Sequence, residues 1–269
     1  MIERNKKYLQ IAFNRSLNEV ATMVGLLPLS DRIIIEAGYP LIKTYGVDVI
    51  NSIRGFWRQK FFGPEDSKSG MKNFKLEMLG LAEFRDLLLK KDSFKKIFQE
   101  KKIEDKTVAI NLYIVADLKC MDRAFTEVEA AKNAGASAAT CLGLAPVETI
   151  DAFIKKCEEI KIDSFLDMLN VEYPFEVLSK LKSLPKIVML HRGVDEGEGN
   201  REKEVPYHQI ERIKGTYDDI LIAIAGGETA REAITGGFND ADIVIVWKLF
   251  NENPGKIAEL TEEFLEKTK

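Results

Sequence analysis

Eight short apolar runs alternate with longer amphipathic stretches along the chain. The runs are almost continuously hydrophobic and rich in β-branched residues, as in 33–35, 187–190 and 243–246. This pattern is typical of parallel strands that are covered on both faces. We expect strands to begin near Tyr8, Arg32, Val108, Ser137, Ser164, Lys186, Asp219 and Asp242. Eight such units predict an α/β fold, a single (β/α)8 TIM barrel over residues 1–269.

The stretches between the runs predict crossover helices. Residues Arg123–Asn133 and Val147–Ile160 carry apolar side chains at three- and four-residue spacing, and Gly135 follows the first where a helix would stop. An open, doubly wound sheet is the alternative arrangement. Its dinucleotide-binding version needs a G-x-G-x-x-G segment after the first strand, and the sequence has none there. The barrel is therefore the favoured fold.

The distance between the second and third strands is too long for an ordinary crossover. A helix is expected to begin near Val47 and the third strand near Val108. The intervening segment, at about 53–106, is therefore predicted to be a helical insertion and not a second domain. The insertion holds a basic and aromatic cluster at 56–62 and a helical pattern over 76–99. Such a cluster could bind single-stranded nucleic acid. In an acidic chain we expect it to pack on the barrel or on a partner subunit.

Charge and cysteine content narrow the choice of partners and compartment. The 39 basic and 43 acidic residues give a net charge of −4, so neither nucleic acid nor a membrane is an expected partner. No run approaches the ~18 apolar residues of a membrane span. Three cysteines, Cys120, Cys141 and Cys157, are too few and too oddly numbered for a disulfide framework. We expect a cytoplasmic protein.

Charged residues end several of the predicted strands, and in a β/α barrel function collects at the carboxyl ends of the strands. Glu36 ends the second run. Asp117 and Lys119 end the third, on the same side by strand alternation, and Asp122 follows on the loop. Two carboxylates beside an ammonium keep a lysine charged, and Asp117 with Glu36 would suit a divalent cation. Ordinary ion pairs at the rim are the alternative interpretation.

Two further strand ends predict an acid or base and an anion site. His191 ends the sixth run and is a candidate for proton transfer near neutral pH, or else a histidine held by the adjacent loop. Gly226 and Gly227 end the seventh run directly before a predicted helix, where bare amides favour a phosphate. A Gly-Gly pair also makes a simple turn. Lys248, after the eighth run, adds a cation, whereas His208 lies in a polar stretch and is expected to be solvated.

Four segments, taken in order, resemble a known superfamily. Residues 36–43 resemble its E-x-G-T-P-L-I-K segment, 116–122 its A-D-x-K-x-x-D segment, 191–195 its H-x-G-x-D segment and 225–227 its A-G-G segment. The superfamily contains orotidine 5'-monophosphate decarboxylase, 3-keto-L-gulonate 6-phosphate decarboxylase and 3-hexulose-6-phosphate synthase, and the synthase is the closest match. The resemblance covers nearly the whole chain outside the insertion. It implies a TIM barrel that is commonly dimeric, so we expect a homodimer.

The resemblance also implies roles for the strand-end residues. Glu36 and Asp117 would bind Mg2+, which stabilises an enediolate formed on a pentulose 5-phosphate. Lys119 and Asp122 would orient the substrate hydroxyls, and His191 would move the proton. The amides of Gly226 and Gly227, with Asn14 and Lys248 nearby, would bind the sugar phosphate.

This chain departs from the family pattern at several positions that line the site. The first strand ends in Asn14 where the family has Asp, Tyr39 replaces Thr, and Trp247-Lys248 replaces Gly-Arg. Losing the glycine removes a backbone that can approach phosphate closely, and lysine offers a point charge in place of a bidentate fork. A substrate other than ribulose 5-phosphate is consistent with these changes.

Three functions therefore remain open at this stage. The first is a Mg2+-dependent aldehyde-lyase that adds formaldehyde to ribulose 5-phosphate, or catalyses the reverse. The second is a decarboxylase of the same superfamily acting on another phosphorylated substrate; retention of Glu36 favours the metal-dependent branch. The third is a non-catalytic barrel that binds a ligand or partner, motivated by Asn14, Tyr39, Trp247 and the insertion, because fold alone does not guarantee activity.

Overall fold

The computed structural model describes residues 2–62, 112–200, 205–226 and 241–268. Eight parallel strands follow one another around a closed barrel, and β8 pairs with β1 to complete it. The TIM-barrel prediction is confirmed. The strands are β1 (Tyr8–Phe13), β2 (Ile33–Ala37), β3 (Tyr113–Cys120), β4 (Ala138–Leu142), β5 (Asp163–Asp167), β6 (Ile187–His191), β7 (Leu221–Ala225) and β8 (Ile243–Val246).

Seven of the strands begin within two residues of the predicted positions. The third differs. Its described part begins at Tyr113, and the predicted start at Val108 lies outside the described residues. Short apolar runs locate buried strands well, because a strand covered on both faces is mostly apolar and polar residues mark where it ends.

The described helices surround the barrel, and two of them match the predicted crossovers closely. They are α1 (Leu17–Leu26), α2 (Tyr39–Tyr45), α3 (Val49–Phe62), α4 (Ala124–Asn133), α5 (Val147–Ile160), α6 (Pro174–Leu178), α7 (Val194–Gly199), α8 (His208–Thr216), α9 (Lys248–Glu252) and α10 (Ile257–Lys267), with a 3-10 turn at Pro254–Lys256. None of these helices is long and apolar enough to cross a bilayer. The short α2 was not anticipated; Pro40 lies in its first turn, where a missing N–H costs nothing.

The strands bury both faces. One set of alternating residues, including Ile34, Val115 and Phe165, packs inside the barrel. The other set, including Ile35 and Ile114, packs outward against the helices. Towards the carboxyl ends of the strands, which we call the mouth, the inward positions become polar: Gln10, Glu36, Asp117, Thr140, Asp167 and His191. The apolar interior of the barrel thus lies beneath a polar mouth.

The first residues of the predicted insertion belong to α3. Residues 52–62 continue α3, and Trp57, only 1% exposed, is part of the main core with Phe56 packed beside it. Lys60 Nζ donates a hydrogen bond to the carbonyl of Leu27, which follows α1. The packing interpretation therefore holds for Phe56 and Trp57. Residues 63–111, including the helix predicted over 76–99, lie outside the described residues.

Candidate active site

Lys119 lies at the centre of a buried cluster of charges in the mouth. Its Nζ is 2.9 Å from Asp167 Oδ2 and 3.4 Å from Asp117 Oδ2. Its backbone has a φ of 46° at an irregularity in the β3–β4 pairing, and its N–H donates to Thr140 Oγ1 at 3.0 Å. Burial alone would lower the pKa of Lys119, but Asp117 and Asp167 together raise it above its ordinary value. The ammonium is therefore held charged between two carboxylates.

Asp167 is a site residue that the sequence analysis missed. It ends β5, is fully buried, and connects Lys119 to His191: His191 Nδ1 lies 2.9 Å from Asp167 Oδ1. Burial would raise the pKa of Asp167, but His191 and Lys119 lower it below its ordinary value. The sequence does mark this residue, because Asp167 ends an apolar run as Glu36 and His191 do. None of the four segments that resemble the superfamily includes it.

His191 is fixed by this contact in a definite orientation. A carboxylate accepts hydrogen bonds, so the contact with Asp167 favours a proton on Nδ1. In the neutral form of the ring, Nε2 is then the nitrogen with a lone pair. Of the two earlier interpretations, a bond to the neighbouring loop is not what holds the ring: Asp167 of β5 does so. The arrangement is that of a base whose tautomer is set by a carboxylate.

Glu36 lies in the same mouth. Gln10 Nε2 donates to Glu36 Oε2 at 2.5 Å. Burial and, second, the Asp117 carboxylate raise the pKa of Glu36 to about 7, while Lys119 and His191 act in the opposite direction. The groups predicted at strands two, three and six are therefore brought together closely enough to interact.

The two carboxylates suit the cation that the resemblance implies. Asp117 accepts hydrogen bonds from Thr140 Oγ1 at 2.8 Å and from the N–H of Tyr39 at 3.2 Å, which fixes its orientation beside Glu36. Among the described residues no group of three or more His, Cys, Asp or Glu side chains could hold a metal. Mg2+ nevertheless binds through one or two carboxylates and keeps several waters. Glu36 and Asp117, two hard oxygen donors that repel each other, fit that requirement.

Asp122 and Asn14 lie outside the charged cluster. The side chain of Asp122 is exposed, and the ammonium of Lys119 pairs with Asp167 where the sequence suggested Asp122. Asn14 is half-buried at the end of β1, where its side chain comes so close to Gly38 that a Cβ there would overlap Asn14 Oδ1. A Cβ at Gly38 would also lie 2.8 Å from the backbone carbonyl oxygen of Phe13, and this contact with a fixed backbone atom accounts for the glycine.

The predicted phosphate site is only partly described. Gly226 has a φ of 91°, and a Cβ there would overlap the carbonyl oxygen of Arg192, so this position requires glycine for its backbone alone. Gly227 lies outside the described residues. Lys248 is exposed at the start of α9. Trp247 is half-buried, and its indole Nε1 is buried with no hydrogen-bond partner among the described residues.

A closed β/α barrel with acidic, basic and imidazole side chains gathered at the carboxyl ends of its strands has the arrangement shared by TIM-barrel enzymes. Residues 89–246 match the Orotidine 5'-phosphate decarboxylase / HUMPS family. The chain belongs to this family, as its resemblance suggested.

Curated relatives and solved structures agree with this membership. The chain is 31% identical over 266 residues to "Bifunctional enzyme Fae/Hps" of Methanothrix thermoacetophila, covering 97% of this chain and 53% of the relative. It is 34% identical to the enzyme of that name from Methanocella arvoryzae, covering 89% and 48%. The chain thus spans about half the length of these relatives. In fold it is similar to 3-hexulose-6-phosphate synthase from Salmonella typhimurium, with a TM-score of 0.66, 20% identity, and 97% and 99% of the two chains covered.

Proposed function

We propose that this chain is a Mg2+-dependent aldehyde-lyase of the 3-hexulose-6-phosphate synthase type. It adds formaldehyde to ribulose 5-phosphate, or catalyses the reverse cleavage. The observation that carries the proposal is the connected cluster of Lys119, Asp167 and His191 beside Glu36 and Asp117. The named activity of the structural relative and the "Hps" half of the curated relatives' name support the same reaction.

The residues of the cluster divide the chemistry among them. His191 Nε2 removes a proton from C1 of ribulose 5-phosphate, and Asp167 stabilises the imidazolium that forms. The electron pair of the broken C–H bond moves into an enediolate. Its C1 then forms a bond to the carbon of formaldehyde, the carbonyl at C2 re-forms, and the formaldehyde oxygen takes a proton from the His191 imidazolium. Lys119, held charged by Asp117 and Asp167, donates hydrogen bonds to the oxygens on which negative charge develops.

Glu36 and Asp117 would hold the Mg2+. When bound, the ion supplies positive charge that stabilises the enediolate oxygens. The chain's own task is to keep the carboxylates oriented, and Thr140 and the Tyr39 N–H do this for Asp117.

The remaining parts of the proposal concern the phosphate, the subunits and the compartment. We assign the phosphate to the amides of Gly226 and Gly227 with Lys248 nearby, and the substrate hydroxyls to Asp122 and Asn14.

A homodimer is supported by apolar side chains exposed beside the mouth, Phe125 among them at 46% exposure. Light scattering at twice the chain mass would support it. Free, buried cysteines support a reducing cytoplasm.

A decarboxylase of the same family is the second candidate. The specific observation in its favour is the ammonium of Lys119 between two buried carboxylates, because a charged lysine could protonate the carbanion left by loss of CO2. The fold is also similar to 3-keto-L-gulonate-6-phosphate decarboxylase from Vibrio cholerae, with a TM-score of 0.63 and 15% identity.

Formaldehyde consumption distinguishes these functions. The purified chain is incubated with ribulose 5-phosphate and formaldehyde, first with Mg2+ and then with a chelator. We expect consumption that stops with chelator and returns when Mg2+ is restored. Turnover unaffected by chelator would contradict the metal role. CO2 release from a 3-keto sugar-acid phosphate, without formaldehyde turnover, would favour the decarboxylase.

If no turnover is seen, binding of sugar phosphates is measured by the shift in melting temperature. A rise in melting temperature with a sugar phosphate would then indicate an altered substrate, in keeping with Tyr39 and Trp247. No rise with any sugar phosphate would favour the non-catalytic barrel.

A further inference from the structure

Gln10 is a fully buried polar residue at the level where the apolar interior of the barrel meets the polar mouth. It is 0% exposed, and its backbone pairs with Ile34 of β2 and Ile245 of β8, where the barrel interior is filled by residues such as Ile34 and Val115. Burying an amide there is unfavourable unless its polar atoms have partners. Its Nε2 has one, Glu36 Oε2, whereas its Oε1 accepts no hydrogen bond from any described residue.

We propose that Gln10 is a positioning residue for the cation ligand Glu36. This inference rests on the metal site of the proposed function and extends it by one residue. The bond from Nε2 occupies Glu36 Oε2, so the carboxylate cannot rotate freely and its other oxygen, Oε1, is presented for coordination. Residues that orient metal ligands in this way control both affinity and geometry.

The unpaired Gln10 Oε1 supports the same role. If Gln10 served only to donate to Glu36, its own acceptor atom, Oε1, would stay buried without a hydrogen-bond partner among the described residues. Buried polar atoms normally have a partner. A hydrated Mg2+ brings water donors into the site, since this ion keeps several of its waters when bound to proteins. Gln10 Oε1 is then an acceptor for one of those waters.

A matched control lies elsewhere in the same barrel. Gln209 on α8 is also buried, at 6% exposure, and its Oε1 likewise has no hydrogen-bond partner among the described residues. Its Nε2 contacts the neighbouring His208 and, within the described part of the chain, no carboxylate. A general effect of removing a buried amide should therefore appear equally in Gln10→Met and Gln209→Met.

Mn2+ titration followed by electron paramagnetic resonance tests the proposal without relying on turnover. Wild type, Gln10→Met, Gln209→Met and Glu36→Gln are compared as full chains, without substrate. We expect Glu36→Gln to lose most binding, Gln10→Met to raise the Kd by about tenfold or more, and Gln209→Met to match wild type. A Kd for Gln10→Met equal to that of wild type would overturn the proposal. So would equal losses in the two methionine variants.

A second measurement needs no variant. The chain contains four glutamines, Gln10, Gln59, Gln99 and Gln209, so selective 15N labelling gives a simple side-chain amide spectrum. We expect the Gln10 amide to shift on adding Mg2+, along the same binding curve as the titration, while that of Gln209 stays in place. An unmoved Gln10 amide at saturating Mg2+ would overturn the proposal.

These experiments separate the inference from the proposed reaction. Mn2+ binding that depends on Glu36 and Gln10, in a chain that consumes no formaldehyde, would refute the reaction and support the role of Gln10. A wild type that binds no Mn2+, or binds it unchanged after Glu36→Gln, would overturn the inference itself.

Discussion

Both ends of the barrel bury charged side chains, but they arrange them differently. At the base, the amino-terminal ends of the strands, Asp242 is 3% exposed, and its partners among the described residues are lysine ammonium groups and a backbone N–H. Its Oδ1 accepts from Lys214 Nζ at 2.8 Å, and its Oδ2 accepts from the N–H of Ile222 at 2.8 Å. At the mouth, burial and, second, the nearby Asp117 carboxylate raise the pKa of Glu36.

The difference separates stability from function. A buried carboxylate that accepts hydrogen bonds from an ammonium and a backbone N–H is well satisfied, so the base cluster stabilises the fold. Like charges placed side by side are unfavourable in the folded chain alone. In the proposed function, a bound cation would offset the repulsion between Glu36 and Asp117 at the mouth. Substitutions at the two ends should therefore affect different measurements.

The largest effect is expected for Lys119→Ala. This change removes the ammonium that interacts with both Asp117 and Asp167, so developing negative charge on the substrate loses its donor. We expect kcat for formaldehyde consumption to fall about 10³-fold, with the far-ultraviolet circular dichroism of the barrel retained.

Lys214→Ala is the control at the base. It also removes a lysine bound to a buried aspartate, but we expect kcat within about twofold of wild type, because only the mouth contacts substrate. Retained turnover in Lys119→Ala would remove Lys119 from the mechanism. A large loss in Lys214→Ala would mean that the two ends do not differ as described.

His191→Gln should reduce kcat by roughly 10²-fold, within the range for loss of a general base. Glutamine retains a hydrogen-bonding side chain beside Asp167 but has no nitrogen able to accept a proton near neutral pH. The matched change is His208→Gln, at a histidine that contacts Gln209 outside the mouth, and it should leave kcat unchanged. Equal kcat values in the two variants would exclude His191 as the base.

Asp242→Ala tests the base of the barrel. Removal of the carboxylate leaves the N–H of Ile222 without its acceptor and Lys214 without its counter-ion. We expect the free energy of unfolding to fall by about 2 kcal/mol, which corresponds to roughly 4–8 °C in melting temperature. The KM and kcat of the remaining folded enzyme should match wild type. A stable but inactive Asp242→Ala would contradict the division between the two ends.

The sequence predicted the barrel better than the contacts inside it. Strand positions follow from continuous apolar runs, which is why seven of eight starts were placed within two residues. The start of α2 and the continuation of α3 through Trp57 were not predicted. The Gly38-Tyr39-Pro40 segment suggests a turn locally, and the stretch after Ser52 was assigned to a helical insertion, whereas it continues α3 against the core.

The strand ends in the sequence predicted most members of the charged cluster, but not which of them pair with each other. Glu36, Asp117, Lys119 and His191 were all singled out, because each follows or ends an apolar run. Which carboxylate meets Lys119 depends on the shape of the barrel and on the irregular backbone at Lys119 itself, with its φ of 46°. Sequence spacing favoured Asp122, three residues away, whereas closure of the barrel brings Asp167 to within 2.9 Å.

The smallest expected effect is a change in acid stability at Asp167. Its pKa lies below the ordinary value of 3.8 in the folded chain, so the unfolded chain takes up this proton first as the pH falls. The contribution of Asp167 to stability is therefore complete above its unfolded pKa and is lost as the pH falls through the lower, folded pKa. Asp167→Asn lacks this titration. In urea unfolding at a series of pH values, from about 6 down to about 3, the stability of wild type relative to Asp167→Asn should decline as the pH falls. A stability difference between the two proteins that stays constant or grows as the pH falls would show that Lys119 and His191 do not favour the ionised form of Asp167. The mouth would then lack the charge pairing that distinguishes it from the base.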